Sequence, residues 1–259
     1  MKISCLILTY NEAARIHIAI THALKWADEV VLVDKGSTDE TVSIALKMGA
    51  RVCQVPFSRQ GHEDMAQFAS CATHDWVWGF TPGEVPTKSV IEQGRAMIED
   101  DDIDIVVIPH KYYSFGVHNR ASPWSVSGQL RLYNRKRVTF TGVAHNPITA
   151  PRIVQMAGGD DCCVLHQTHA DAQGFMRAHA DYMINEANNG TPDDAMKRAM
   201  TYFFSFDKGF ASSAELQPQE FGWKLYWLGV ALHAWCRKNP DIKQQYKERA
   251  EAMLKEQWQ

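Results

Sequence analysis

The strongest constraint on this chain is a regular alternation running from Ile3 to Ile108. Short apolar runs rich in β-branched residues occur at Ile3–Thr9, Glu29–Asp34, Arg51–Val55, Trp76–Phe80 and Asp104–Ile108. Their apolar residues are consecutive rather than alternate, which suits strands buried on both faces. Between them, Ile16, Ile20 and Leu24 share a helical face, as do Val42, Ala45, Leu46 and Met48. Asn11 is placed to cap the first helix, which would run to Lys25, and further helices are expected over Glu63–Cys71 and Pro86–Ile98. This pattern predicts an α/β fold, a mostly parallel sheet flanked by helices. Ligands of such sheets bind beyond the carboxyl ends of the strands. Tyr10–Glu12, Asp34–Asp39 and Thr81–Glu84 all fall there.

After His110 the pattern changes. Lys111–Ser127 is loop-like, Gln129–Tyr133 and Arg137–Thr141 read as strands, and Val164–His166 as a last short strand. Helices are expected at 172–188, 192–206, 219–237 and 240–255. The division is therefore a sheet domain over 1–167 and a C-terminal helical subdomain over 168–259. At 45% apolar and 22% charged residues, the chain can build a large core without staples. Its six cysteines form no CxxC pair, so reduced thiols in a cytosolic protein are expected, and zinc is not. Met1-Lys2-Ile3-Ser4 runs straight into a strand, so no leader is expected. No segment approaches the roughly 20 apolar residues of a membrane span. The longest candidate, Phe221–Trp235, is interrupted by Lys224 and His233.

No GxGxxG follows the first strand, and no P-loop pattern is present. What stands there is Thr9-Tyr10-Asn11-Glu12, followed after the second strand by Val33-Asp34-Lys35-Gly36-Ser37-Thr38-Asp39. Together these resemble the opening of family 2 glycosyltransferases. The likeness continues through Gly49–Val52, Asp75–Trp78, Phe115-Gly116, Gln129–Tyr133, Val143–Pro147 and Leu165-His166. It is similar to the bacterial members that build lipopolysaccharide core and other surface polysaccharides. The resemblance implies a GT-A-like fold and an inverting transferase acting on a nucleotide-diphosphate sugar, a UDP-sugar. The acceptor would be a glycan or glycolipid, and the enzyme would be cytoplasmic, at the inner face of the membrane. It also implies a base pocket lined by Thr9, Tyr10, Asn11 and Glu12, with Tyr10 as a stacking face. Asp34 would accept the imide N–H of the base. From the residues alone Asp34 also reads as a cap for the segment after it, and Asp39 as a first-turn carboxylate.

Two departures from the family pattern matter. Members supply Asp-x-Asp after the fourth strand to hold Mg²⁺ or Mn²⁺ against the diphosphate. Here the stretch is Thr81-Pro82-Gly83-Glu84, which leaves Glu84 as the candidate ligand, with His145 or His166 able to add an imidazole. Glu84 also reads as a cap near the helix after Pro86. Secondly, inverting transfer needs a base, yet no Asp or Glu lies between Ile105 and Gly159. His145 is the leading candidate; Asp160, Asp161 and Asp181 are the others. Lys35 stands where many members carry a second carboxylate.

The same acid-free stretch holds Lys111, Arg120, Arg131, Arg135, Lys136, Arg137 and Arg152. It reads as a positive lobe for anions, with Arg120 or Arg131 at the diphosphate or at a phosphorylated acceptor. No RNA-binding motif accompanies the aromatics, so nucleic acid is not an expected partner. Trp223, Tyr226, Trp227 and Trp235 suit either a packed helical subdomain or peripheral contact with a membrane. Besides the transferase reading, a catalytically degenerate nucleotide-sugar-binding or scaffold protein on the same fold fits the missing aspartates. A nucleotidyltransferase is a third reading.

Overall fold

The computed structural model describes residues 1–58, 64–114, 118, 126–143, 146–169, 172–188, 190–204 and 218–241, with positions 245 and 248. The chain forms two compact units, Met1–Thr168 and His169–Gln259. The first unit opens with β1 (Ile3–Thr9), α1 (Ile16–Ala23), β2 (Glu29–Asp34), α2 (Thr41–Lys47), β3 (Arg51–Gln54), α3 (Met65–Ser70) and β4 (Trp76–Phe80). Next come β5 (Glu84–Pro86), α4 (Lys88–Met97), β6 (Ile105–Ser114) and β7 (Val126–Asn134). The unit ends with β8 (Thr139–Val143), β9 (Asn146–Thr149), β10 (Ile153–Gln155) and β11 (Val164–His169).

The main sheet runs β3–β2–β1–β4–β7–β6–β11–β5, with β10 beside β6, while β8 and β9 form a separate pair. β3, β2, β1 and β4 are parallel. Beyond β4 the direction reverses: β7 is antiparallel to β4 and β6, and β5 is antiparallel to β11.

The consecutive apolar runs have the expected cause. Ile3, Cys5 and Ile7 face one core with Trp76, Trp78, Leu132 and the apolar sides of α1 and α4. Leu6, Val31, Val33 and Val77 face a second core with Phe68 and Ala69 of α3 and Ile148 of β9. Each strand of the parallel half thus needs apolar residues at odd and even positions alike. Thr87 caps α4 by accepting from Val90 N, and α4 lies so close to the sheet that a Cβ on Gly94 would stand 2.9 Å from the buried Trp78 ring.

The structure departs from the expectations in several places. α1 starts at Ile16, not after Asn11, because Asn11 takes a left-handed φ of 55° and its side chain accepts from Thr38 N, 2.8 Å away. β6 continues through Lys111–Ser114, a stretch that looked like loop. β5, β9 and β10 are too short to show as patterns, and pairing with neighbours makes them strands. The expectation of reduced thiols fails at Cys53 and Cys71, which are disulfide-bonded with Cα atoms 6.0 Å apart. The end of β3 and the C-terminus of α3 meet there, a proximity that cysteine spacing does not reveal.

The second unit contains α5 (Ala172–Asn188), α6 (Pro192–Phe204) and α7 (Pro218–Lys238). Met183, Ala187, Ala195, Ala199, Tyr226, Trp227, Val230 and Ala234 are buried. Tyr202 stacks on Trp227 with ring centroids 4.5 Å apart. Leu225, Leu228, Leu232 and Trp235 form an exposed apolar stripe along α7. Among the described residues no helix is long and apolar enough to cross a membrane. The helix expected over 240–255 lies largely outside the described residues.

Two stability effects follow. Gly94→Ala should destabilise by about 1–3 kcal/mol through overpacking against Trp78, outweighing the roughly 1 kcal/mol helix gain from alanine; urea unfolding reads the sign. Cys53→Ser should lower the unfolding free energy by about 3 kcal/mol through the freed loop, measured against wild type without reductant.

Candidate active site at the carboxyl end of the sheet

The ends of β1 and β2 are knitted together by side chains. Asp34 is fully buried, and its carboxylate accepts from Gly36 N at 3.1 Å, Ser37 N at 3.0 Å and Ser37 Oγ at 2.5 Å. Both oxygens accept within the turn, as the capping reading expects. Asn11 N donates to Ser37 Oγ at 2.9 Å, and Glu12 N donates to Thr41 Oγ1 at 2.8 Å. Thr9 is buried, with its hydroxyl donating to Val33 O at 3.3 Å. Asp39 accepts from Thr41 N and Ala13 N, as a first-turn carboxylate would. Of the expected pocket residues, Tyr10 offers a free face: it is 44% exposed.

Tyr10 has a partner that sequence reading missed. Phe57, 56% exposed, lies with its ring centroid 4.7 Å from that of Tyr10. The segment bearing Phe57 is held by Lys35, whose ammonium donates to Ser58 O at 2.8 Å and sits 5.3 Å over the Phe68 ring. Lys35 therefore anchors the segment that places Phe57 beside Tyr10. A large aromatic just past the third strand was the available signal for Phe57.

Glu84, which lies beside Cys5 and Ile7 of β1, converges with Arg131, His110 and His166. Pairing of β5 with β11 sets Glu84 opposite His166. Glu84 Oε1 lies 3.2 Å from Arg131 Nη2, 3.3 Å from His166 Nδ1 and 3.5 Å from His110 Nε2. Its Oε2 accepts from Thr81 N at 2.7 Å. Burial would push this carboxyl up; Arg131, followed by the two histidines, outweighs that and holds it well below the usual range. Burial, reinforced by Arg131, His110 and Arg15, lowers His166 to about 4 against the opposing pull of Glu84.

This geometry does not suit a divalent cation. The Glu84 side chain is fully enclosed, and the oxygen that faces the imidazoles already carries the Arg131 guanidinium. Among the described residues no group of three His, Cys, Asp or Glu is arranged to hold a metal ion. The ligand role expected of Glu84 is replaced by a buried ion pair that ties β5 to β7. Gly83, at the second position where family members place an aspartate, has no space for a side chain. A Cβ there would overlap the Gln167 carbonyl oxygen and stand 3.0 Å from Arg15 Nη1. Arg15 itself is held by Glu12 through Nε–Oε2 at 2.5 Å and Nη2–Oε1 at 2.8 Å. Its position three residues after Glu12 is the signal that the sequence offers for this pair.

The positive lobe is also corrected. Lys111 pairs with Asp160 at 3.0 Å, Lys136 with Asp75 at 2.9 Å and Arg137 with Asp104 at 3.2 Å. Arg152 pairs with Asp104 and Asp102, and Arg135 donates to His74 O. Carboxylates distant in sequence neutralise most of this stretch. Arg120 and His145 lie outside the described residues, as does the full surrounding of Asp181.

A pH dependence follows from His166. The folded imidazole titrates at about 4 against 6.5 for the free group, so the unfolded chain binds a proton that the folded chain refuses. Stability is then full above pH 6.5 and falls as the pH drops toward 4. Urea midpoints between pH 7.5 and 4.5 should show this slope in wild type and a shallower one in His166→Gln.

Residues 4–154 match the family model described as Glycosyl transferase family 2. The chain is 30% identical over 200 residues to an uncharacterized glycosyltransferase of Rickettsia felis, covering 72% of this chain and 66% of that protein. It is 31% identical over 199 residues to one of Rickettsia bellii, covering 72% and 64%. The match thus spans slightly under two thirds of these relatives' own length. Among solved structures, it is similar to glucosyl-3-phosphoglycerate synthase from Mycobacterium tuberculosis in complex with Mn²⁺, uridine-diphosphate and glucosyl-3-phosphoglycerate. That likeness has 17% identity and a TM-score of 0.42, over 60% of this chain and 68% of that one. With the family model covering more than half its length, the chain belongs to glycosyl transferase family 2.

Proposed function

We propose that this chain transfers a sugar from a nucleotide diphosphate, a UDP-sugar, to a glycan or glycolipid acceptor with inversion. The observation that carries the reading is the exposed Tyr10–Phe57 pair at the carboxyl end of a family 2 sheet. Exposed aromatic faces stack on nucleobases, at about 1–3 kcal/mol per base. Arg131, with a side chain 27% exposed, rises from the same sheet, and guanidinium groups suit phosphate oxygens. In this reading Thr9, Asn11 and Asp34 shape the pocket by fixing its loops, while Tyr10 and Phe57 touch the base. The acceptor oxygen attacks the anomeric carbon opposite the diphosphate. The bond to the diphosphate breaks and its electrons leave with that group. The acceptor proton passes to a base, which we assign to His145.

A glycolipid acceptor, as in lipopolysaccharide assembly, would bring the chain to the inner face of a membrane. The exposed stripe Leu225, Leu228, Leu232 and Trp235 on α7 supports such peripheral contact from the cytoplasm. A second reading, a nucleotide-sugar-binding protein without turnover, is favoured by one observation: Glu12, Asp34, Asp39 and Glu84 are all engaged in ion pairs or hydrogen bonds.

Calorimetry with UDP, CDP, GDP and ADP, followed by donor hydrolysis and transfer assays, separates the readings. UDP should bind, and Tyr10→Ala or Phe57→Ala should weaken it roughly 5- to 100-fold. Binding with no turnover across donors and acceptors would favour the second reading. Absence of binding by any nucleotide would overturn both.

A further inference from the structure

We infer that the Arg15 guanidinium is the resident cation of the diphosphate site, so that this chain holds its nucleotide diphosphate without a divalent metal. The inference rests on the nucleotide-sugar reading above and goes beyond it. Its first support is spatial. Gln167 N donates to Gly83 O at 2.8 Å, which extends the β5–β11 pairing by one residue and carries the Gln167 carbonyl into the space a residue-83 side chain would need. A carboxylate at that position is therefore excluded by backbone, not by a movable side chain. The group that lies against the vacated position is Arg15 Nη1, 3.0 Å from where the Cβ would be.

The second support is how Arg15 is held. Glu12 takes Nε and Nη2 in a two-point fork and leaves Nη1 as the edge nearest Gly83. Glu12 is itself fixed through its backbone N–H to Thr41 and through its carbonyl, which accepts from Arg15 N and Ile16 N. A guanidinium restrained in this way meets an anion with little further loss of side-chain freedom. The Arg15 side chain is nevertheless 41% exposed.

The third support is the commitment of the carboxylates nearby. Glu84 is locked by Arg131, Glu12 by Arg15, and Asp34 and Asp39 by the loops they fix. A divalent cation would have to displace one of these partners, whereas the Nη1 donors of Arg15 lie outside its fork with Glu12.

The test compares UDP with uridine by calorimetry, in EDTA and in Mn²⁺, for wild type, Arg15→Ala and Arg15→Gln. Wild type should bind UDP in EDTA, with an affinity that Mn²⁺ changes by less than about twofold. Both variants should lose roughly tenfold or more for UDP and nothing for uridine, as expected for loss of a charge-assisted contact. Retained uridine binding also shows that the variants are folded. UDP binding that requires Mn²⁺, or that is unchanged in the variants, overturns the Arg15 assignment and leaves the nucleotide reading standing. Loss of both UDP and uridine binding in wild type overturns the two together.

Discussion

The ion pair between Glu84 and Arg131 is the contact on which this site depends. It joins β5, at one end of the sheet order, to β7, the first strand after the parallel half. A carboxylate so enclosed would be strongly disfavoured alone, and removal of Arg131 would leave it without its nearest permanent cation. The two histidines then pack around an oxygen whose charge is already met. The geometry of β11, and with it the approach of Gln167 to Gly83, follows from β5 being held in place. What looks in the sequence like the remnant of a metal motif works as a structural clasp.

Much of the parallel half was legible from residue order. The runs at Ile3–Thr9 and Glu29–Asp34 are continuous because both of their faces are buried, and no competing pattern explains them. The antiparallel half was less legible. β5 contains a proline and spans three residues, so only its partner on β11 defines it. Lys111–Ser114 carries aromatics that resemble loop composition, yet it continues a strand already paired through Ile105–His110.

The candidate site was legible where the evidence was local and illegible where it was not. Tyr10 stood out because it ends a strand; Phe57 came into view only once the segment after β3 folded back beside it. Lys35 looked like an unsuitable substitute for a carboxylate, and proves to be the anchor of that segment. The basic stretch misled because charge counted along a chain ignores partners across the fold: Asp75, Asp102, Asp104 and Asp160 lie before or after the acid-free segment and meet its cations. Charge density is a property of surfaces, and sequence windows approximate it poorly.

Gly83 also bears on how such a site could change over generations. Where a carboxylate has merely been exchanged for a smaller residue, one substitution can bring it back. Here the carbonyl of Gln167 occupies the space that a Cβ would need. An aspartate reintroduced at 83 would meet backbone before it met any cation. Room for that side chain would need β11 to retreat and Arg15 to turn away at the same time. A side chain at 83 is thus set against the backbone of a paired strand, and a single substitution does not make room for it.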